Sequence, residues 1–179
     1  MQAIQTLKTH HFYMKLIFSS ASAVQVKHFI MVSSLGTNKI GFPAALLNLF
    51  WGVLIWKRKA EEALISSGIP YTIVRPGGME RPTDAFKETH NLTLSEEDTL
   101  FGGLVSTLQI AELIAFMARN RKESCCKVVE AIATTSAPLT PMNKLLGRIR
   151  PQRECKEVLL KNECCCLMCC GNGIVFDLL

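Results

Sequence analysis

The chain has 179 residues, of which 49% are hydrophobic and 20% are charged. A chain of this length and composition forms about one globular domain with a sizeable core, which excludes a wholly disordered protein. The net charge is a modest +5, and we predict no nucleic-acid partner. The longest apolar run, Phe42–Trp56, is interrupted by Asn48 and Gly52 and is shorter than the roughly 18–20 residues that span a bilayer.

A strand, a long helix and a second strand are predicted in the middle of the chain. The short apolar run His28–Ser33 is typical of a buried strand. A helical pattern covers residues 43–67 and ends before Gly68, which suits the left-handed position that follows a helix. The run Tyr71–Arg75 is the second strand. Two strands joined by such a helix are expected to be parallel.

The remaining pattern predicts one loop, two helices and one strand. Residues 79–101 are polar and aperiodic, and we predict a loop there. A capping box of the S-x-x-Q type starts a helix over Ser106–Arg119. A strand follows at Cys126–Thr134, and a short helix at Thr140–Leu146. The expected buried stripe of the first helix consists of Leu108, Ala111, Ala115 and Phe116, with Glu112 out of place.

The two ends of the chain share no period with the middle. Residues 1–24 are predicted to be a poorly ordered leader, with a weak likeness to an organellar transit segment. Residues 151–179 are predicted to be a cysteine-rich tail, either disordered or the product of read-through of non-coding sequence. The spacing of the eight cysteines predicts free thiols in a reducing compartment. The tail contains one C-x-x-C but no second ligand pair, so no metal site is predicted.

The middle of the chain, residues 25–150, resembles the C-terminal half of an atypical short-chain dehydrogenase/reductase. The runs that carry the resemblance are FIMVSSLGTNK, KRKAEEAL, GIPYTIVRPGGMERPTDAFKETHN and KVVEAIATTSAPLTPM. The similarity is to the branch of this family found in the protein-import translocon of the chloroplast inner envelope. It implies an α/β fold, the C-terminal half of a Rossmann-like doubly wound parallel sheet. That sheet is incomplete, because no glycine-rich phosphate turn occurs and the family's first strands have no counterpart before Val26. We therefore predict an unpaired edge on the first strand.

The resemblance implies NADP(H) as the cofactor and places part of the nicotinamide site. The implied cofactor-binding residues are Ser33, Ser34, Lys57, Pro76, Gly77, Gly78 and Met79. Ligands collect at the carboxyl ends of parallel strands, where these residues lie. The alternative for Lys57 is an ordinary surface lysine. The family's general acid is a tyrosine four residues before that lysine, a position that Val53 occupies here, so no catalytic residue is assigned.

Three functions follow from these observations. The preferred one is a segment of an NADP(H)-binding, dehydrogenase-like, redox-sensing subunit of the chloroplast translocon, with neither full cofactor binding nor catalysis. Its implied partners are other translocon subunits and ferredoxin–NADP reductase, although the family's reductase-binding repeats are absent from this sequence. Its implied location is the stroma, the inner envelope or the thylakoid surface, and Phe42–Trp56 is the candidate for peripheral membrane or partner contact. The alternatives are an NADPH-dependent reductase of a chloroplast small molecule, and a non-catalytic interaction module.

Overall fold

A computed structural model describes residues 20, 26–38, 53–80, 85–151 and 173–177. The strands in this part of the chain are β1 (His28–Val32), β2 (Tyr71–Pro76), β3 (Gly78–Glu80), β4 (Asn91–Glu96), β5 (Leu104–Ser106), β6 (Lys127–Thr134) and β7 (Gly173–Asp177). The helices there are α1 (Val53–Ser67), α2 (Ala85–Thr89), α3 (Thr107–Arg119), α4 (Arg121–Ser124) and α5 (Met142–Gly147).

The described strands form one sheet that is mostly parallel. Its order is β3-β5-β6-β2-β1-β7, and β4 also pairs with β6. The pairs β7–β1, β1–β2 and β2–β6 are all parallel. Antiparallel pairing is confined to β6 with β4 and β5. The carboxyl ends of β1, β2 and β6 therefore lie on one edge of the sheet.

The predicted strand–helix–strand unit is confirmed where the structure describes it. β1 and β2 are parallel, with Phe29 opposite Tyr71 and Val32 opposite Val74. The helix between them ends at Ser67, and Gly68 follows with φ of 75°, the left-handed conformation that glycine adopts without a Cβ penalty. The predicted start of this helix lies outside the described residues.

The predicted loop over residues 79–101 is wrong. This segment contains β3, the short helix α2 and the six-residue strand β4. β4 runs antiparallel along β6, from Asn91 opposite Thr134 to Glu96 opposite Val129. The alternation in NLTLSE places Leu92 and Leu94 against the core. β6 is 33 to 43 residues away along the chain, and pairing with it makes a strand of a segment whose polar residues indicate a loop.

The capping box of α3 is confirmed, but its predicted buried stripe is wrong. Ser106 accepts from the backbone N–H of Leu108, and the side chain of Gln109 accepts from the backbone N–H of Ser106. The helix buries Ile110, Leu113 and Met117, and of the predicted set only Phe116 packs against this core, partly buried. Both sets have helical spacing, and only the packing of the helix on the sheet selects between them.

Side chains alternate between two cores, one on each face of the sheet. Ile30, Val74 and Val129 face a core that includes residues of α3 and α5. Phe29, Ile73 and Val128 face a second core, to which α1 contributes Ala60 and Leu64. Each fully buried aliphatic side chain stabilises the fold by about 1.5–3 kcal/mol. A parallel sheet covered by helices on both faces is the predicted doubly wound arrangement.

The edge of β1 is occupied, so the predicted unpaired edge is wrong. β7 pairs with β1 in parallel from His28–Gly173 to Val32–Asp177. β7 lies within residues 151–179, the predicted tail. The predicted division of the chain into leader, domain and tail at residues 24 and 150 stays a prediction. Cys126 is disulfide-bonded, which contradicts the prediction of free thiols at that position.

No helix among the described residues is long and apolar enough to cross a bilayer. Most of the candidate docking run Phe42–Trp56 lies outside those residues. Of its last positions, Leu54 is buried and Ile55 is about half exposed.

His28, at the start of β1, is fully buried and neutral. Its Nε2 lies 2.8 Å from Thr72 Oγ1, which itself donates to the carbonyl oxygen of Ser124. Because the threonine proton is used in that bond, Nε2 carries the imidazole proton and donates it. Burial, together with the positive charge of Arg121, lowers the pKa of His28 from 6.5 to about 4.

We expect acid to destabilise the protein through His28. As pH falls below 6.5, the unfolded chain binds a proton that the folded chain binds only near pH 4, so the free energy of unfolding decreases. Between about pH 7 and about pH 5 this amounts to about 2 kcal/mol. Urea unfolding of the wild type and of His28→Gln at both pH values measures this loss of the free energy of unfolding. An equal loss of stability in both proteins would contradict the assignment.

Candidate functional site

The candidate site lies where the chain leaves β1 and β2. Pairing continues past the end of β1: Ser33 N–H donates to the carbonyl oxygen of Val74 at 2.7 Å, and Leu35 N–H to that of Pro76 at 3.0 Å. Ser34 is therefore held beside the carboxyl end of β2. This places three of the predicted residues, Ser33, Ser34 and Pro76, next to one another.

Lys57 joins this group from α1. Its half-buried side chain donates from Nζ to Ser34 Oγ at 2.7 Å. Ser33 is 2% exposed, and its Oγ is buried without a hydrogen-bond partner among the described residues. A buried hydroxyl without a partner is costly, and nothing among the described residues offsets that cost at Ser33. The contact with Ser34 disfavours the alternative of an ordinary surface lysine.

The turn after β2 is shaped by contacts within the protein. Gly77 N–H donates to the carbonyl oxygen of Ala131 at 2.9 Å, and Gly78 N–H to that of Gly103 at 2.8 Å. A Cβ on Gly77 would overlap the carbonyl oxygen of Gly103 and lie 2.9 Å from its carbonyl carbon. Close approach of two backbone segments therefore requires Gly77. Met79 packs against the core on the α3 face, and the cofactor roles of these residues stay predictions.

No tyrosine stands at the site among the residues that the structure describes. Val53 is the first residue of α1, one turn before Lys57, and a valine carries no transferable proton. Tyr71 is buried at the opposite end of β2, roughly 13 Å along the strand from Arg75. Tyr13 lies outside the described residues.

Sequence reasoning missed a buried charged cluster on the same edge of the sheet. Arg75, in β2, is fully buried and forms a two-point ion pair with Glu61 of α1, at 3.1 Å from Nε and 2.7 Å from Nη2. It also donates to Glu97 at 2.9 Å and Asp98 at 3.0 Å. Burial acts to lower the pKa of Arg75, but Glu61, Glu97 and Asp98 outweigh it and raise the pKa. The signal in the sequence is a cation at the end of an apolar strand, which requires buried partners.

The described groups at this site are donors that can bind the hydroxyl groups of a sugar or the oxygens of a phosphate. The ammonium of Lys57 and the hydroxyl of Ser34 are the polar groups that meet there. The sequence contains no glycine-rich turn that would surround a pyrophosphate with backbone N–H groups. The described residues contain no group of His, Cys, Asp and Glu that could hold a metal ion. The assignment of these residues to the nicotinamide ribose stays a prediction from the resemblance.

A mostly parallel sheet with polar side chains at the carboxyl ends of its strands is typical of a nucleotide-binding α/β protein. A family model described as NAD(P)H-binding matches residues 2–121, more than half of the chain. The chain belongs to this NAD(P)H-binding family. The match begins within the segment 1–24 that sequence analysis sets apart.

Relatives and solved structures agree with this assignment. The chain is 72% identical over 139 residues to the chloroplastic protein TIC 62 of Pisum sativum, covering 78% of this chain and 26% of the relative. Against TIC 62 of Oryza sativa it is 68% identical over 138 residues, covering 77% and 28%. The chain thus spans about a quarter of the length of these relatives.

The fold is shared with solved structures. A putative NAD-dependent epimerase/dehydratase from Bacillus halodurans superposes with a TM-score of 0.59 at 26% identity, covering 74% of this chain and 56% of that chain. A short-chain dehydrogenase/reductase from Veillonella parvula, solved in complex with NADP, gives 0.57 at 19% identity, covering 73% and 62%.

These comparisons confirm three predictions. The resemblance to the dehydrogenase family and its chloroplast branch is confirmed. The incomplete Rossmann-like α/β fold is confirmed by partial superposition on larger chains. The chloroplast location is confirmed at the level of the organelle, because the TIC 62 relatives are chloroplastic proteins.

Proposed function

We propose that this chain supplies the nicotinamide–ribose half of an NADP(H) site in a dehydrogenase-like, redox-sensing subunit of the chloroplast import translocon. The observation that carries the proposal is the 2.7 Å bond from Lys57 Nζ to Ser34 Oγ at the carboxyl edge of the sheet. Dinucleotides bind at this edge in open α/β sheets. The NAD(P)H-binding family and the NADP complex of the Veillonella parvula neighbour support the choice of cofactor.

Lys57 and Ser34 are the residues that would hold the ribose, because the Ser33 hydroxyl is buried. Lys57 Nζ donates to Ser34 Oγ, so the ammonium and the hydroxyl form one polar pair at the carboxyl ends of β1 and β2. When bound, the dihydronicotinamide supplies a hydride. The protein's own part is to orient the ribose through Lys57 and Ser34.

We propose that the site senses the cofactor without reducing a carbonyl. A carbonyl reductase needs a positioned acid, and the family's acid position is Val53. Translocon subunits and ferredoxin–NADP reductase are the proposed partners, by similarity to TIC 62. NADP(H) occupancy would change the association of the chain with them and with the membrane.

Replacing Lys57 by methionine is expected to weaken NADPH binding about tenfold or more, because a charge-assisted hydrogen bond contributes about 1.5–3 kcal/mol. Titration of the full chain with NADPH, followed by nucleotide fluorescence, gives the Kd. Lys122→Met is the matched control, because it removes the same charge at a different place. Lys122 is exposed on α4, next to the amino end of β6.

The same experiment tests the whole proposal. Failure of the wild type to bind NADPH saturably would overturn it. Equal Kd values for Lys57→Met and Lys122→Met would remove Lys57 from the site. NADPH oxidation in the presence of small aldehydes or ketones would favour the alternative of a working reductase.

A further inference from the structure

Arg75 lies at the centre of a cluster that holds four segments together at the site. Besides its two-point pair with Glu61 on α1, it binds the turn after β4 through Glu97 and Asp98. The chain after β1 joins the same cluster: Thr37 Oγ1 donates to Glu61 at 3.2 Å, and Asn38 donates to Asp98 at 2.6 Å. One buried guanidinium thus connects β2, α1, the turn after β4 and the chain that follows Ser34.

The turn that binds Arg75 has a specific conformation. Asp98 has φ of 63°, an uncommon value outside glycine that persists where surrounding contacts impose it. Those contacts come from Glu130 of β6, which is fully buried. Its carboxylate accepts from the backbone N–H groups of Asp98, Thr99 and Leu100 at 2.9, 3.1 and 2.7 Å. Glu130 therefore fixes the turn that carries Glu97 and Asp98, the partners of Arg75 opposite Glu61.

The position of Glu61 on α1 relates this cluster to Lys57. The two residues are four apart, so they lie one above the other on the same face of the helix. A helix that buries apolar side chains alone can rotate or slide at small cost, because the hydrophobic effect is not directional. A two-point bond between a guanidinium and a carboxylate has a fixed geometry. It defines the rotation of α1 at the turn next to Lys57.

We propose that Arg75 and Glu61 are positioning residues. They hold α1 in the orientation in which Lys57 Nζ donates to Ser34 Oγ. Arg75 takes no part in the hydrogen bond between Lys57 and Ser34. Its effect passes through Glu61 and the helix. The link to NADP(H) rests on the proposed function, but the placement of Lys57 can be measured without any nucleotide.

The first test is the rate at which an N-hydroxysuccinimide ester acetylates Lys57. The full, folded chain is labelled, the reaction is stopped at set times, and the digested chain is analysed by mass spectrometry. The variant is Glu61→Met with Arg75→Met, because replacing both partners of a buried pair by apolar residues preserves folding better than removing one. We expect acetylation of Lys57 to rise about tenfold, as for the loss of one charge-assisted hydrogen bond. Exposed Lys59 on the same helix is the internal control and keeps its rate.

Arg75→Lys gives a second variant in case the double replacement does not fold. It keeps the charge but loses the two-point geometry, so Lys57 acetylation is expected to rise by less than in the double variant. A Lys57 rate equal to the wild-type rate in the folded variants would overturn the proposal. A parallel rise at Lys59 would also overturn it, since that result indicates general loosening of the helix.

A binding cycle adds a measurement that a purely structural role would not change. Lys57→Met, the double variant and their combination are compared by NADPH titration. If the pair acts through Lys57, the combination binds no more weakly than the weaker of the other two, and additive effects contradict it. Absence of binding in the wild type would overturn the proposed function, while the acetylation rates still decide the placement of Lys57.

Discussion

Replacing Arg75 by methionine is expected to lower the free energy of unfolding by about 3–5 kcal/mol. The change leaves the carboxylate of Glu61, fully buried, without its two-point partner. Thr37 and Arg58 remain near Glu61, at 3.2 and 3.5 Å, but neither replaces the paired guanidinium nitrogens. Urea unfolding followed by circular dichroism measures the loss.

Arg150→Met is the control for this experiment. Arg150 pairs with Glu96 at 3.2 Å, but its side chain is 86% exposed, and such surface pairs contribute about 0–1 kcal/mol. We therefore expect a small change there. If the two variants lost the same stability, Arg75 would not hold a buried pair that matters to the fold.

The central unit of the fold was predictable because its signals are local. An apolar run, a helical pattern ended by Gly68 and a second apolar run define β1, α1 and β2. β4 was not predictable from its own residues, since its polar composition becomes a strand only by pairing with β6. The buried face of α3 was misjudged for a similar reason: two stripes of helical spacing exist, and the sheet selects one.

The candidate site was predictable in part. The resemblance to the dehydrogenase family places Ser33, Ser34 and Lys57 together, and the bond between Lys57 and Ser34 agrees with that placement. The cluster around Arg75 was missed, because its carboxylates come from α1, the turn after β4 and β6. No spacing along the chain relates these segments. A charged residue within an apolar strand was the available signal, and Glu130 within KVVEAIAT gives the same signal.

Glu130→Ala is expected to release the turn after β4 and to cost about 2–4 kcal/mol of stability. Three backbone N–H groups, of residues 98–100, lose their acceptor. The cost stays below the sum of three buried losses because Thr99 is exposed and water reaches the freed groups. Hydrogen exchange at these amides is expected to speed up about thirtyfold or more, which corresponds to about 2 kcal/mol.

Two variants sharpen this measurement. Glu130→Gln keeps one acceptor oxygen but turns an NH₂ group toward backbone donors, so its exchange rates are expected to fall between those of the wild type and Glu130→Ala. Glu96→Ala removes a nearby, more exposed carboxylate that pairs with Arg150 and is expected to leave amides 98–100 protected. Unprotected amides in the wild type would contradict the role of Glu130.

The Glu130 variant also separates the turn from the helix. Release of the turn removes Glu97 and Asp98 from Arg75 but leaves its two bonds to Glu61. Since those bonds set the rotation of α1, acetylation of Lys57 is expected to stay within about twofold of wild type, a difference of less than about 0.5 kcal/mol. A tenfold rise in Glu130→Ala would instead assign the placement of Lys57 to the turn.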